Sequence, residues 1–232
     1  MNLNLYQTYI KNFDFKKIFK PTLTSKLLVK ETIPYLKKKQ KILDLGCGGG
    51  IITACLYKKS FKQKFYLSDL HSLAIIKAKK NLNLINNNFT FKIGDGFEPW
   101  KNEKFDIIIN DISGISKTVA KLSPWFKNVP TDNTEKGTGL LKKIVKQCAN
   151  FMNNKSIFVT PIISLSDCAT AVNIVKKNLK IVSIKKYQWP LPKIMYRRLS
   201  LLKKLKKKKY INFSEKYGII VCYTLILICK KK

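Results

Sequence analysis

The stretch Lys41-Ile-Leu-Asp-Leu-Gly-Cys-Gly-Gly-Gly-Ile51 joins a short apolar run to a cluster of glycines, with an acid between them. Ile42, Leu43 and Leu45 have the continuous hydrophobicity of a parallel strand that is covered on both faces. The glycines that follow let the backbone turn tightly and come close to a ligand. Apolar residues then recur at helical spacing. The stretch therefore predicts a strand, a turn and a helix whose free N–H groups favour electron-rich ligand atoms.

The spacing of these glycines discriminates between kinds of nucleotide-like ligand. A dinucleotide fingerprint requires Gly-x-Gly-x-x-Gly or Ala, but the residue three positions after Gly48 is Ile51. Binding of a nicotinamide or flavin dinucleotide is therefore disfavoured. A glycine-rich turn that holds no ligand stays open as an alternative, because an isolated motif has low specificity.

The order Asp-x-Gly-x-Gly-x-Gly resembles motif I of the Rossmann-like, class I methyltransferases that use S-adenosyl-L-methionine (SAM). In that family the glycine turn passes beside the amino-acid end of the cofactor. The resemblance implies that the chain is a SAM-dependent methyltransferase. It also implies a set of cofactor-binding residues in this turn: Asp44, Gly46, Cys47, Gly48 and Gly50.

From Lys41 onward, predicted strands and helices alternate, which indicates an α/β fold with a parallel sheet and helices on both faces. Strands are expected at 41–45, 64–68, 89–93, 105–110 and 156–160, and helices at about 51–59, 72–84, 137–152 and 166–178. Two further strands, at 180–187 and 217–228, have no predicted helix between them, which implies an antiparallel pair at the sheet edge. A seven-stranded, mostly parallel sheet with an antiparallel last strand resembles the class I methyltransferase fold.

Residues 1–40 are expected to form a helical extension ahead of a SAM-binding domain at 41–232. Apolar residues between 13 and 19 have the spacing of one helix face, and Pro21 interrupts the pattern. A second helix is expected from about 26 to 36. The extension either covers the cofactor, or helps to select the substrate, or simply packs on the core.

An acid also stands at the end of the second predicted strand. Asp69 lies nineteen residues after Gly50, close to the roughly twenty-residue spacing at which an acid binds the ribose hydroxyls in Rossmann-type sites. Its competing role is to cap the next helix. Leu70 and Ile93 are candidate walls for an adenine ring, or else ordinary core residues.

Gly94-Asp95-Gly96-Phe97 follows the third predicted strand. In SAM-dependent methyltransferases an acid at this place accepts a hydrogen bond from the adenine amino group, so the resemblance implies that Asp95 and Gly96 line the cofactor site. Ligands of open α/β sheets gather at the carboxyl ends of the strands. The glycine turn, Asp69 and Asp95 are therefore expected to lie together.

Asn110-Asp-Ile-Ser-Gly-Ile-Ser116 follows the fourth predicted strand, where amino and amide methyltransferases carry Asn/Asp-Pro-Pro-Tyr/Phe. Alignment puts Asp111 on the first position, whereas Ile112, Ser113 and Gly114 replace the two prolines and the aromatic. The resemblance implies that Asp111 is catalytic and also borders the cofactor. It further implies that Ile112, through its carbonyl, and Ser113 contact the substrate.

A stacking ring for a planar substrate is missing from this motif. Trp125 or Phe126, in the Ser123-Pro-Trp-Phe loop, is the expected replacement, and Trp125 is counted among the substrate-binding residues. The alternative is that this loop only anchors itself on the sheet. In either case, a carboxylate at Asp111 would accept the N–H of a target nitrogen as positive charge develops there.

Two more segments resemble the glutamine methyltransferases that modify release factors and a ribosomal protein. The run from Thr131 to Ile144 is similar to their Gly-x-Asp-Gly-Leu turn and helix, and Phe19-Lys-Pro-Thr is similar to their Arg-Pro-x-Thr segment. The resemblance implies a protein substrate in the translation apparatus. The altered motif after the fourth strand sets this chain apart from that group.

The net charge of +33, from 46 basic and 13 acidic residues, is far outside the usual balance for 232 residues. One explanation is an AT-rich genome, because lysine dominates and arginine occurs at Arg197 and Arg198. The other is a polyanionic partner, which the scarcity of acids favours. Lysine runs at 37–39, 203–209 and 230–232 could contact phosphates or be solvated charged faces.

Other classes of site are disfavoured by the sequence. The six cysteines form no Cys-x-x-Cys pair and His71 is the single histidine, so neither a zinc site nor a disulfide framework is expected. The longest apolar run, 218–229, is shorter than the roughly 20 residues of a membrane span. The N-terminus lacks the pattern of a secretory signal, so a cytoplasmic protein without a membrane partner is expected.

Three functions stay open at this point. The order of the motifs favours methylation of a protein amide or amine, in a release factor or ribosomal protein. The charge favours methylation of a base in rRNA or tRNA. The third alternative is a SAM-binding or nucleic-acid-binding module that lost its activity together with the motif after the fourth strand.

Overall fold

The computed structural model describes residues 3–59, 63–85, 88–112, 114–126, 129–132 and 134–232. Its strands are β1 (Lys41–Leu45), β2 (Lys64–Asp69), β3 (Phe89–Ile93), β4 (Phe105–Asn110), β5 (Met152–Ile163), β6 (Lys180–Pro190), β7 (Ser214–Lys216) and β8 (Ile219–Lys230). Its helices are α1 (Leu3–Asn12), α2 (Leu23–Thr32), α3 (Ile51–Tyr57), α4 (Ser72–Asn83), α5 (Lys117–Leu122), α6 (Gly139–Cys148), α7 (Cys168–Asn178) and α8 (Leu199–Lys207).

All strands belong to one sheet in the order β3-β2-β1-β4-β5-β8-β6, and β7 pairs with the start of β8. The strands from β1 to β5 are parallel, whereas β8 runs antiparallel to both β5 and β6. Seven strands form the main path, and the last of them along the chain is reversed. The predicted α/β, Rossmann-like methyltransferase fold is confirmed.

The antiparallel pair predicted at the sheet edge is confirmed, with the reversed strand β8 between β5 and the edge strand β6. The segment that joins these two strands differs from the prediction. The connection between β6 and β8 contains helix α8, although no helix is predicted there. Helix α8 is rich in lysine, and its apolar face is narrow because the buried residues of this helix are Leu202 and Leu205. Since the lysines outnumber these two leucines, the helix escaped prediction.

The strand β1 illustrates how the sheet separates two layers of core. Ile42 belongs to the apolar cluster on one face, together with residues of α2 and α3. Leu43 and Leu45 belong to the cluster on the other face, with residues of α6 and α7. Side chains alternate across a strand, so full burial of β1 requires helices on both faces.

The N-terminal segment packs on the first of these clusters. Tyr6 and Tyr9 of α1 and Phe13 are buried there beside α3. The helix expected at 13–19 is wrong, because α1 ends at Asn12 and Lys17 has a left-handed φ of 64° that no α-helix accommodates. The second helix is shifted: α2 begins after Thr22, whose hydroxyl accepts the N–H of Thr24 at 3.3 Å. The division of the chain at residue 40 stays a prediction.

Helix α6 is shorter than predicted at both ends. Asp132 explains where it begins, because this buried carboxylate accepts the N–H of Leu140 at 2.8 Å and the N–H of Thr134 at 2.8 Å. It therefore caps α6 from outside the helix. A short 3-10 helix at Ala149–Phe151 follows α6, and β5 then begins at Met152 and is longer than expected.

None of the helices in the described ranges is long and apolar enough to cross a bilayer. The six cysteines are free thiols, and five of them are buried. Burial raises the pKa of the thiols well above its ordinary value at Cys47 and to about 12 at Cys55. These cysteines therefore act as small apolar side chains of the core.

Candidate functional site

A cavity opens at the carboxyl ends of the strands from β1 to β4, and we call it the glycine cavity. Its walls come from the turn after β1, the ends of β2 and β3, and the loop after β4. Most of the predicted site residues line it: Gly46, Cys47, Gly48, Asp69, Leu70, Asp95, Gly96, Asp111 and Ile112. Asp44, Gly50 and Trp125 do not line it, and Ser113 lies outside the described residues.

The turn between β1 and α3 is held by backbone hydrogen bonds. The N–H groups of Gly46 and Cys47 donate to the carbonyl oxygen of Ser68 at 2.8 and 3.0 Å. Gly48 has φ +52°, and a side chain there would meet no atom within 4 Å. Open space therefore faces the backbone at Gly48, as a bound ligand requires.

Gly46 serves a different purpose from Gly48. Its φ is +75°, and an added Cβ would lie 2.7 Å from Cγ1 of Ile112. This glycine lets the loop after β4 approach the turn after β1. The two segments that face the cavity are therefore packed directly on each other.

Asp69 ties the turn to the end of β2. Its carboxylate accepts the N–H of Gly48 at 3.0 Å and the N–H of His71 at 2.9 Å. Burial raises the pKa of Asp69 above its ordinary value, although both donors act in the opposite direction. Asp69 thus stands beside the open space at Gly48. It does not cap the next helix, because His71 is the N-cap residue of α4 and its side chain makes no capping hydrogen bond within the described residues. The ribose contact of Asp69 stays a prediction.

Asp44 and Gly50 face away from the cavity, and Gly50 packs against Leu82 of α4. The carboxylate of Asp44 is 1% exposed and accepts the hydroxyl of Thr53 at 2.7 Å and its N–H at 3.3 Å. Burial raises the pKa of Asp44 to about 6. Its other oxygen, Oδ1, has no hydrogen-bond partner within the described part of the chain. Asp44 therefore anchors α3 below the turn, and its part in cofactor binding stays a prediction.

The side of the cavity near β3 contains an ion pair that the sequence does not reveal. Lys143 of α6 contacts Asp95 at 2.5 Å and Glu98 at 3.8 Å. Leu70 and Ile93 are 57% and 55% exposed, so neither is a core residue. Leu70 lines the cavity, whereas Ile93 does not.

These features fit SAM. The open space beside Gly48 suits close approach of a ligand to the backbone, and Asp69 offers acceptors for a diol at the end of β2. The exposed side chain of Leu70 provides an apolar wall next to that acid. Each of the three features faces the same cavity.

Asp111 lies where the glycine cavity meets a second one. Its N–H donates to the carbonyl of Leu45 at 3.0 Å, and its carboxylate accepts the hydroxyl of Ser25 at 2.8 Å. Burial raises the pKa of Asp111 to about 8, and the carboxylates of Asp44 and Asp69 add to this shift. A carboxyl group is thus held at the junction of the two cavities.

The second cavity has a volume of about 440 Å³, and we call it the aromatic cavity. Four rings line it: Phe19, Trp125, Phe126 and Trp189. The rings of Trp125 and Trp189 lie 6.0 Å apart at 78°, and those of Phe19 and Phe126 lie 5.1 Å apart. Asp111, Phe19, Pro21 and Phe126 line both cavities, so the two are adjacent.

The backbone explains why no ring stands in the motif after β4. A Cβ on Gly114 would lie 2.5 Å from the carbonyl oxygen of Gly137. Gly137 has φ +63°, and its own Cβ would lie 2.6 Å from the carbonyl oxygen of Ile115. Two loops therefore cross here in backbone contact, and an aromatic at position 114 has no room.

Some residues of the site come from segments that the sequence does not connect. Ser25 of α2 contacts Asp111, and Trp189 at the end of β6 packs edge-to-face on Trp125 in the wall of the aromatic cavity. Phe19 belongs to the Phe19-Lys-Pro-Thr segment that resembles the glutamine methyltransferases, but that resemblance assigns no role to its ring. The Ser123-Pro-Trp-Phe loop is the sequence feature that predicts an aromatic ring near Asp111.

Comparison with known proteins supports SAM as the ligand of the glycine cavity. The model of the methyltransferase small domain matches residues 21–111. A ribosomal RNA small subunit methyltransferase C of Actinobacillus pleuropneumoniae is 36% identical over 73 residues, which cover 32% of this chain and 22% of that protein. A protein of Methanocaldococcus jannaschii named as a methyltransferase is 28% identical over 148 residues, 56% of each chain.

The whole fold is also found among solved structures. A protein of Pyrococcus horikoshii assigned as an RNA methyltransferase superposes with a TM-score of 0.60 at 12% identity, covering 98% of this chain and 96% of that one. This likeness shows the fold alone. In sequence, the chain spans about a fifth of the ribosomal RNA methyltransferases that it matches and about half of the archaeal relative.

Proposed function

We propose that this chain, which belongs to the class I SAM-dependent methyltransferases, transfers the methyl group of SAM to a nitrogen of a planar group, and that this group is a base of RNA. The observation that carries the proposal is the meeting of the glycine cavity and the aromatic cavity at Asp111. One cavity fits the methyl donor and the other fits a flat acceptor. The acceptor nitrogen would lie beside the carboxyl group of Asp111, which stands between the two cavities.

SAM, when bound, supplies a methyl group on a sulfonium that is open to in-line displacement. The chain has to hold the acceptor nitrogen close to that methyl group and in line with it, and such positioning contributes roughly 7 to 11 kcal/mol to catalysis. Asp111 would accept the N–H of the acceptor, with the Ile112 carbonyl as a second acceptor. Ser25 would keep the carboxylate in place through its 2.8 Å hydrogen bond.

Positive charge develops on the acceptor nitrogen as the new bond forms. A carboxylate beside that nitrogen stabilises this positive charge, and the stabilisation is large in a site that excludes water. Asp111 has to be ionised for this purpose. Since burial raises the pKa of Asp111 to about 8, transfer should become faster as the pH increases toward 8.

The aromatic cavity favours a flat acceptor over a flexible amine. Stacking of a base on aromatic side chains is worth about 1–3 kcal/mol per base and suits any base with a π face. Trp125 is the candidate stacking ring, in place of the aromatic that is missing after β4. A base of rRNA or tRNA has both the flat ring and the exocyclic nitrogen that this arrangement suits.

A protein amide is the second candidate, because the amide of a glutamine or asparagine is also planar. The segment from 131 to 144 supports it through its similarity to the glutamine methyltransferases of release factors and a ribosomal protein. In the structure, this segment holds the Asp132 cap at the start of α6. A cytoplasmic site of action is part of either proposal.

The test is labelled methyl transfer with the purified chain. Labelled SAM is supplied with total RNA, with tRNA, with ribosomal subunits and with isolated ribosomal proteins, all from cells that lack the gene. The labelled product is then treated with nuclease or with protease. A variant with Glu103→Gln serves as the control, because this acid contacts Lys41 at the opposite end of β1.

We expect label that nuclease releases and protease does not, and nucleoside mass spectrometry to find the methyl group on a base nitrogen. Release by protease would favour the protein amide and overturn the RNA proposal. Tight SAM binding with no labelled product on any of these polymers would favour a module without transferase activity.

A further inference from the structure

The charge of the chain is segregated along the sequence. Between Asp167 and Glu215 there are fourteen lysines and arginines and no acidic residue, whereas twelve of the 13 acids lie at or before Asp167. A codon bias acts on a whole gene and does not confine acids to one part of it. The acid-free segment therefore calls for a local explanation.

The centre of this segment is a helical insertion between β6 and β7, at residues 193–209. Its inner face is apolar: Met195, Leu202 and Leu205 are buried in one cluster with residues of α5. Its outer face is exposed and we call it the basic face; it consists of Lys193, Arg197, Arg198, Lys203, Lys204, Lys206, Lys207, Lys208 and Lys209.

The insertion is fixed beside the aromatic cavity. Strand β6 ends with Trp189 and Pro190, which line that cavity, and the chain then enters the insertion directly. The Leu191 N–H donates to the carbonyl of Ile220 at 2.8 Å, and the Ile220 N–H donates to the Tyr196 hydroxyl at 2.8 Å. The basic face is thus attached to the wall of the cavity by short, ordered connections.

Most of this charge is not neutralised within the chain. Lys203 contacts Glu215 at 3.5 Å, and Lys206 donates to the carbonyl of Phe213 at 2.6 Å. Lys204, Lys207 and Lys208 form no ion pair with any residue that the structure describes. Like charges held together on one short helix repel each other, so a polyanion that displaces their counterions would bind favourably.

We propose that the basic face binds the phosphate backbone of the RNA that presents its base to the aromatic cavity. The inference rests on the proposed RNA substrate and adds the surface that positions it. Phosphate contacts supply affinity and register without sequence information, while the aromatic cavity receives the base. The basic face would therefore bind the backbone of the same RNA strand whose base enters the aromatic cavity.

The test compares two triple variants of the full chain. Lys204→Gln, Lys207→Gln and Lys208→Gln together remove charge from the basic face. The control carries Lys176→Gln, Lys180→Gln and Lys230→Gln, which remove exposed lysines near the opposite end of the sheet. Circular dichroism checks that both variants are folded, and the readouts are RNA affinity over a range of salt concentrations and the kinetics of methyl transfer.

We expect the basic-face variant to raise the KM for RNA about tenfold at moderate salt and to leave kcat and SAM affinity unchanged. The plot of log affinity against log salt should become less steep by about 2 to 3, since each phosphate contact contributes about 0.7 to 0.9. The control should match the wild type in each measurement.

Equal RNA affinity and equal salt dependence in both triple variants would overturn the inference. If the wild type still methylates RNA in that case, the proposed function stands and the basic face has no part in it. If the wild type methylates a protein instead, the proposed function fails. A loss of activity on that protein in the basic-face variant would then assign the face to an acidic protein surface, and the RNA inference would also be rejected.

Discussion

The glycine cavity and the aromatic cavity share Asp111 but are built in different ways. Backbone groups form much of the first: glycines with positive φ, N–H groups that donate to Ser68, and an acid that accepts the N–H of Gly48. Side chains from five separate segments form the second, with Phe19, Trp125, Phe126 and Trp189 as its rings. The difference shows which part of an active site a local motif can encode.

A backbone site depends on residues that are close together in sequence. The turn after β1 works through its own glycines, and its spacing identifies its ligand class. A side-chain site depends on which distant segments the fold brings together. The cofactor is therefore evident from a short stretch, whereas the substrate is not.

A substitution at the crossing of Gly114 and Gly137 has the largest expected effect on stability, because this crossing holds the loop after β4 that borders both cavities. We expect Gly137→Ala to lower the free energy of unfolding by about 3 kcal/mol or more, since a left-handed φ and contact with Ile115 both oppose a side chain. Urea unfolding measures the loss. Gly218→Ala is the matched control, because Gly218 has φ +71° with no atom within 4 Å of an added Cβ. A cost of about 1–2 kcal/mol is expected there, and equal costs would refute the crossing.

Removal of the acid at the end of β2 tests the glycine cavity alone. We expect Asp69→Ala to weaken SAM binding about 10- to 100-fold, because it removes an acceptor for the cofactor and frees the N–H of Gly48. Calorimetric titration with SAM measures the change. Asp95→Ala should weaken binding less, since Lys143 already contacts that carboxylate. A larger effect at Asp95 would contradict this ranking of the two acids.

Removal of one ring tests the aromatic cavity alone. We expect Trp125→Ala to reduce kcat/KM for the RNA substrate about tenfold, the loss of one stacking contact, with SAM affinity unchanged. Tyr217→Ala removes an exposed ring from the turn before β8 and should have no effect. If SAM affinity falls together with activity in Trp125→Ala, the two cavities are not separable.

The carboxyl group of Asp111 at the junction of the cavities should affect how the free energy of unfolding depends on pH. The raised pKa of Asp111, about 8 against an ordinary value of 3.8, means that the native state keeps a proton that the unfolded chain loses. The stability from this group is complete below about pH 4 and is lost as the pH rises through about 8. We expect the unfolding free energy of the wild type to fall relative to Asp111→Asn by roughly 1.4 kcal/mol per pH unit between pH 5 and 8, about 4 kcal/mol in all. Parallel curves for the two proteins would contradict a buried carboxyl at this place.

The sequence predicted more of the sheet than of the site. Continuous apolar runs such as the one around Leu43 marked the parallel strands, because burial on both faces leaves that pattern. The helix α8 escaped prediction because its lysines outnumber the two leucines that bury it. The place of β8 between β5 and β6 could not be read from periodicity, since pairing between distant strands leaves no local signal.

The same limit applies to residues of the site. Asp69 and Asp95 follow strand ends in the sequence, so their neighbourhood could be predicted. Ser25 and Trp189 could not, because tertiary packing alone brings Ser25 to Asp111 and Trp189 to the aromatic cavity. The glycine at position 114 looked like a lost motif, and the backbone of Gly137 gives the steric reason for it.

The most direct test measures SAM binding and methyl transfer on the same preparation of Asp111→Ala, beside the wild type and the Glu103→Gln control. If Asp111 joins two separable cavities, SAM affinity should stay within about threefold of the wild type while transfer falls by about 10²–10³ or more. Retained turnover, or the loss of binding and transfer together, would contradict this role for Asp111.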